Sequence, residues 1–185
     1  FIAAGLTLSA KDVRLFSSAK SQIRWFNENF PALDKVDPTA IYLMALLDRL
    51  PLSQAHSVSL KFALAKGQAR RLLDYKENAA RVISKLSQED ILPSRIFGLL
   101  EKLSCEVILL IRAKSGNANL KKHIRDFFKR YHGTRLAVSG SDLKALGMSS
   151  GPRFQKILKK ILDAKLNGLV QNKGEELALV KKELF

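Results

Sequence analysis

The run Gly151-Pro152-Arg153, followed by Lys156, Lys159 and Lys160, has residue types and spacing that could do chemistry. Proline suits the first turn of a helix, and a helix N-terminus exposes unpaired N–H groups with partial positive charge. Gly151 would let an anion approach the backbone closely, and the four cations that follow return at helical spacing. The chemistry this predicts is the holding of a phosphate. Arg153 sits one residue into the helix, where the dipole disfavours a cation, and a bound anion would offset that cost. Ordinary capping by Ser149 or Ser150 explains the same residues, and the two readings are compatible.

A second basic set precedes it: Lys121, Lys122, Arg125 and Lys129, with Arg130 and Arg135 just beyond. At about 100° per residue, the first four fall within an arc of about 100°, while Leu120, Ile124, Phe127, Phe128 and Tyr131 occupy a separate arc. The helix after Pro152 repeats the arrangement. Phe154, Ile157, Leu158, Ile161 and Leu162 share one side, with Arg153, Lys156, Lys159 and Lys160 opposite. Lys165 falls inside the apolar arc and is expected to snorkel to the surface at the helix end.

Residues 121–165 hold twelve Lys or Arg against three acids (Asp126, Asp142 and Asp163), a net +9 within a chain total of +15. Most charge runs are solvated faces, but these lack the interleaved acids of such faces. The balance points to a polyanionic partner. Trp25, Tyr75 and Tyr131 read as core aromatics rather than stacking platforms, so the expected recognition is of backbone and shape, with little base readout.

Enzymatic constellations do not emerge. His56, His123 and His132 are scattered without a metal-ligand partner at helical spacing. There is no Gly-x-x-x-x-Gly-Lys phosphate loop and no Gly-x-Ser-x-Gly elbow. Gly140-Ser141-Asp142 is followed by no Asp-x-Asp pair. Glu89-Asp90 and Glu175-Glu176 are adjacent in sequence and read as a solvated turn and an acidic first helical turn that complements the macrodipole. No catalytic residue, metal ligand or cofactor is expected within these residues.

The elements that must position the basic faces are helices. Of 185 residues, 46% are hydrophobic, enough for one or two cored units. No apolar run approaches the roughly 18 residues of a membrane span. The opening FIAAGLTL has no basic start, and the chain reads as a domain cut from something longer. The single cysteine, Cys105, lies in an apolar run and reads as a buried structural thiol. Ser9 with Asp12 predicts a capped helix ending before Pro31, with Val13, Phe16, Ile23 and Phe26 on its inner face. Asp37-Pro38 starts an apolar helix running to Leu50. Further helices are expected at about 52–63, 66–86, 93–102, 104–113, 119–131, 142–146, 152–166 and 174–184. The stretch 133–140 is a candidate for extended chain, and 115–119 for a linker. The reading is all-α, a bundle or short superhelical array of nine to ten helices, with a body-like subdomain at 1–115 and a basic tail at 116–185.

The C-terminal third carries a resemblance. Gly140, Asp142, Leu143, Leu146, Gly147, Gly151, Pro152, Ile157, Leu158, Ala164, Leu166 and Gly168, then Glu175 and Glu176, stand in the pattern of about 50 residues. This resembles the C-terminal end of the bacterial class II tRNA nucleotidyltransferase/poly(A) polymerase family. The resemblance implies a parent enzyme that adds nucleotides to RNA 3′ ends in the cytoplasm, its head holding Mg2+ and, with the neck, the nucleoside triphosphate. This chain would be the catalytically silent body and tail, gripping RNA, above all the backbone of a tRNA, and joined to head and neck. Two other readings remain open. Residues 142–162 also look like half of a helix–hairpin–helix DNA-binding element, and the basic faces would suit an acidic protein partner.

Overall fold

A computed structural model of the chain describes residues 8–147 and 151–184. Among the described residues it contains ten α-helices, one π-helical turn and no strand, the all-α class that the sequence predicts. The chain divides into two compact units. One comprises residues up to Glu89 together with Leu100–Arg125, and the other comprises Asp90–Leu99 together with residues from Asp126 onward.

The first unit is built around α6 (Cys105–Lys114), whose Val107, Ile108, Leu109, Leu110 and Ile111 are all at most 1% exposed. A helix apolar on every side must be enclosed on every side. Here α1 (Ala10–Asn29), α2 (Pro38–Leu46) and α4 (Lys66–Leu86) pack around it, and α3 (Leu52–Lys61) packs on α4. Starts follow the caps. Ser9 and Asp12 form a reciprocal capping box, Asp37 accepts from Thr39 and Ala40 N–H ahead of Pro38, and Ser104 accepts from Val107 N–H. The stretch read as a linker is a capped turn inside this unit. Asn117 Oδ1 accepts from Leu120 N–H at 2.9 Å and opens α7 (Ala118–Asp126).

Three expectations are corrected. The inner face of α1 is Asp12, Ala19, Gln22 and Phe26, whereas Val13 is 55% exposed and Phe16 and Ile23 are half-buried. Two polar residues lie on that face: Asp12 turns inward to meet Arg49 at 3.0 Å, and Gln22 is buried. Cys105 is only half-buried, as the first residue of α6. Burial, reinforced by Glu106, pushes its thiol up to about 11 despite the helix N-terminus. Finally, α2 stops at Leu46 rather than Leu50, because the next residues are bound from outside the helix.

That binding is a polar knot. Lys76 Nζ donates to the Asp48 and Leu50 carbonyls at 2.6 and 2.7 Å, in the turns that follow α2. The Asp48 carboxylate accepts from the Tyr75 hydroxyl and, at 2.7 Å, from Lys114. Tyr75 is 1% exposed, so burial first, and then the bond to Asp48, pushes its phenol far above its ordinary value. Tyr75→Phe is expected to cost about 1–2 kcal/mol, since Asp48 keeps Lys114 while the packing of the ring is retained. A urea unfolding midpoint unchanged by the substitution would contradict this.

Candidate nucleic-acid interface

In the second unit, α8 (Gly140–Ala145), α9 (Pro152–Leu166) and α10 (Lys173–Leu184) are held by a core of Val138, Leu143, Phe154, Ile157, Ile161 and Val180, while α5 (Pro93–Leu100) is tied in by Ser94 N–H donating to Asn167 Oδ1 at 3.0 Å and by Phe97 against Phe127. The stretch considered for extended chain forms no strand and is fixed by a side chain instead. Ala137 and Val138 N–H both donate to Glu176 Oε2 at 2.8 Å, and Lys165 Nζ meets Glu176 Oε1 at 2.7 Å. This corrects one expectation and sharpens another. Lys165 points inward to a partner rather than out to water, and Glu176 stands in the acidic first turn of α10 as expected but is 0% exposed. Glu175 keeps the expected role, exposed at the start of α10 and accepting from Gln171 N–H at 2.7 Å.

Two motif glycines have local reasons. A Cβ on Gly140 would lie 3.3 Å from the ring of Phe154, so a side chain there would press on the core. Gly168 takes φ +78 and ends α9, with its N–H bound to the Lys165 carbonyl and Leu169 N–H bound to the Ala164 carbonyl, the hydrogen bonds of a left-handed C-cap. Asp142 is a capping residue. Its carboxylate accepts from Ser139 N–H and Oγ, and Lys173 lies 2.9 Å away. Lys173 and then Ser139 hold its carboxyl well below the usual carboxylate range. The Ser-x-x-Asp spacing was a legible signal for this box.

Gly151 is the N-cap residue of α9, in extended conformation, and has no side chain with which to satisfy the helix N–H groups. Ser149 and Ser150, the alternative caps, lie outside the described residues. On α9 the apolar and basic sides separate as the periodicity predicts, with Phe154, Ile157 and Ile161 buried and Arg153, Lys156, Lys159 and Lys160 exposed. The four cations are not equivalent. Lys159 reaches Asp163 at 3.4 Å, and Lys160 is bound by Glu183 at 2.6 Å. Arg153 and Lys156 form no ion pair among the described residues, and they stand next to the helix N-terminus.

The stripe expected along 119–131 divides. Lys121, half-buried, and Lys122 and Arg125, both exposed, lie on α7 in the first unit. Regular α-helix ends at Asp126, and Phe127–Tyr131 forms a π-helical turn closed by His132 N–H to the Phe127 carbonyl at 2.7 Å. The wider turn rotates Lys129 and Arg130 away from the line that a 100° period assigns them, while both Phe127 and Phe128 are buried. Lys129, Arg130 and Arg135 are exposed in the second unit. His123, which no apolar periodicity marks, is buried with Nδ1 3.0 Å from the Leu86 carbonyl. Of the candidate stacking aromatics, Tyr75 is core, and Trp25 and Tyr131 are half-buried.

No protein-family model matches the chain. It is 27% identical over 184 residues to an A-adding tRNA nucleotidyltransferase of Geobacter sulfurreducens, a match covering 97% of this chain and 21% of that protein. Its fold is shared with a Thermotoga maritima CCA-adding enzyme solved in complex with tRNA, at TM-score 0.73 and 23% identity over 97% of this chain and 43% of that one. It is shared equally with an apo form of a CCA-adding enzyme, at TM-score 0.74 and 21% identity over 96% of this chain and 41% of that one. The chain therefore spans about a fifth of the curated relative and about two fifths of these solved structures. The resemblance that residues 135–184 bear to the C-terminal end of the class II tRNA nucleotidyltransferase/poly(A) polymerase family is thus borne out by the curated relative, whose match extends to nearly the whole chain, and the solved structures share the fold over the same length.

Proposed function

We propose that this chain is the RNA-gripping C-terminal part of a nucleotidyltransferase that extends RNA 3′ ends, and that it holds a tRNA by its backbone. The observation that carries this reading is the state of α9. Arg153 and Lys156 stand exposed and without ion pairs among the described residues, beside a helix start whose cap is a glycine. Backbone donors and these cations lie within the first two turns of one helix, as phosphate recognition requires. Lys129, Arg130 and Arg135 add exposed charge in the same unit, and Lys121, Lys122 and Arg125 add it in the other. Lys159 and Lys160 must exchange Asp163 and Glu183 for phosphate before they contribute. Nucleotide selection, Mg2+ and chemistry belong in this reading to head and neck domains of the parent protein. The tail supplies position, which converts RNA encounter into oriented presentation of the 3′ end.

The test is a titration of the chain with tRNA, unstructured single-stranded RNA and duplex DNA of similar length, followed by anisotropy at several salt concentrations. Every basic protein binds all three at low salt, so the informative quantity is preference near physiological salt. Preference for tRNA is the expected result. Equal binding to duplex DNA would move the reading to a helix–hairpin–helix module. Absence of binding to any of the three would favour an acidic protein partner.

A further inference from the structure

Helix α1 presents an outer face that the RNA-gripping reading has not used. At about 100° per residue, Arg14, Ser17, Lys20, Ser21 and Arg24 fall within an arc of about 120°, and all five are exposed. The three cations form no ion pair among the described residues. Of the two acids of α1, Asp12 is buried and bound to Arg49, and Glu28 stands in the last turn without an ion pair among the described residues. Arg14 gives only its Nε to the helix, to the Ala10 carbonyl at 3.3 Å, which leaves its terminal N–H groups for a ligand. The Ser21 hydroxyl turns back onto the Ser17 carbonyl at 3.1 Å, so no long side chain rises along the row from Arg14 through Ser17 and Ser21 to Arg24.

This arrangement costs stability. Lys20 and Arg24 are like charges at i and i+4, a spacing that destabilises a helix, and no acid among the described residues answers either. Local rules of this kind are broken chiefly where function requires it.

We propose that the outer face of α1 is a docking track for an RNA phosphate backbone, with Arg14, Lys20 and Arg24 as its phosphate contacts and Ser17 and Ser21 as the floor over which the strand lies. This goes beyond the cations assigned above and rests on the RNA-gripping reading. Arg14 and Arg24 are ten residues apart, about 15 Å along the helix, so the track is long enough to meet more than one phosphate of a strand. The occupant is a polyanion rather than an acidic protein. Protein interfaces are built round an apolar and aromatic core and are depleted in lysine, whereas Val13 is the only apolar residue larger than alanine that α1 leaves more than half exposed. Hydroxyl side chains between cations are, by contrast, ordinary partners of a phosphate chain.

The test compares tRNA binding by the chain and by its Arg14→Gln/Arg24→Gln variant, followed by anisotropy of labelled tRNA at several salt concentrations. The variant should bind about tenfold more weakly near physiological salt, with a salt dependence shallower by about two phosphate contacts. Its urea midpoint should match that of the wild type, because neither arginine holds an ion pair among the described residues. Lys20→Gln, which relieves the like-charge pair, should raise the midpoint slightly while weakening binding, a combination that a structural role would not produce. A photo-crosslinker carried by Ser21→Cys should capture tRNA. Wild-type tRNA affinity in the folded double variant, or no capture from Ser21→Cys at saturating tRNA, would overturn the α1 track while leaving the RNA-gripping reading intact. Weaker binding of poly-glutamate by the double variant, with tRNA affinity unchanged, would overturn it in favour of an acidic protein partner. Absence of any tRNA binding by the wild-type chain would overturn both.

Discussion

Glu176→Ala is expected to destabilise the second unit by about 3–4 kcal/mol, the largest stability effect of a single substitution anticipated here. The carboxylate is fully buried and serves three donors at once, the N–H groups of Ala137 and Val138 and the ammonium of Lys165. Removing it strands a buried backbone N–H and leaves Lys165, only 22% exposed, without its counter-charge. It also frees the segment that carries Val138 into the core beside Leu143 and Phe154. Urea unfolding followed by circular dichroism should therefore show an earlier loss of helix. Emission from Trp25, which lies in the first unit, reports separately on the rest of the chain. A change of less than about 0.5 kcal/mol would show that Glu176 is not the anchor of this unit.

The same carboxylate makes the unit sensitive to acid. Burial alone would raise its proton affinity, but Lys165 and the two backbone N–H groups outweigh that, and the folded-state value lies below the ordinary one. The unfolded chain therefore binds the proton first. The stabilisation is complete above the ordinary glutamate range and is lost as the pH falls through the folded-state value. Asp142, held down by Lys173 and Ser139, acts in the same direction. Glu176→Gln should lower stability at neutral pH and flatten its decline in acid. An acid limb as steep as that of the wild type would assign the effect to other carboxylates.

The second large effect is on binding. Arg153→Glu combined with Lys156→Glu should weaken tRNA binding about a hundredfold near physiological salt and make its salt dependence shallower by about 1.5 in the log–log slope. On the RNA-gripping reading, each reversal would remove one phosphate contact and place an anion near the helix start where the phosphate would lie. Both side chains are exposed, and neither holds an ion pair among the described residues, so the fold should survive. Glutamate in the first turn even favours the helix dipole. Reversing Lys160 would be a poorer test, because it also breaks the bond to Glu183 and confuses folding with binding. Wild-type affinity in a folded double variant would remove α9 from the interface.

The division between what could be read and what could not follows the range of the interactions. Caps act over three residues, so Ser9 with Asp12 and Asp37 with Pro38 announce their helices in the bare sequence. Periodicity acts within one helix, so the two sides of α9 are also legible, as is the concentration of charge in 121–165. The motif from Gly140 to Gly168 is visible because its glycines meet needs close at hand, a ring 3.3 Å away and a left-handed helix end.

What the sequence by itself determined is an all-α chain with basic faces and a nucleotidyltransferase-like tail. Only the tertiary structure decided which charges are available and which are structural. Lys165 and Glu176 are 11 residues apart, and Lys160 and Glu183 are 23 apart, so their pairing depends on α10 returning against α9. The turn from α to π at Phe127 likewise arises where both Phe127 and Phe128 are buried. A residue type states that a side chain is charged or apolar. Whether it meets water, a counter-charge or a ring is set by chain that folds back from elsewhere, and this is why Arg153 and Lys156 stand apart from their neighbours only in three dimensions.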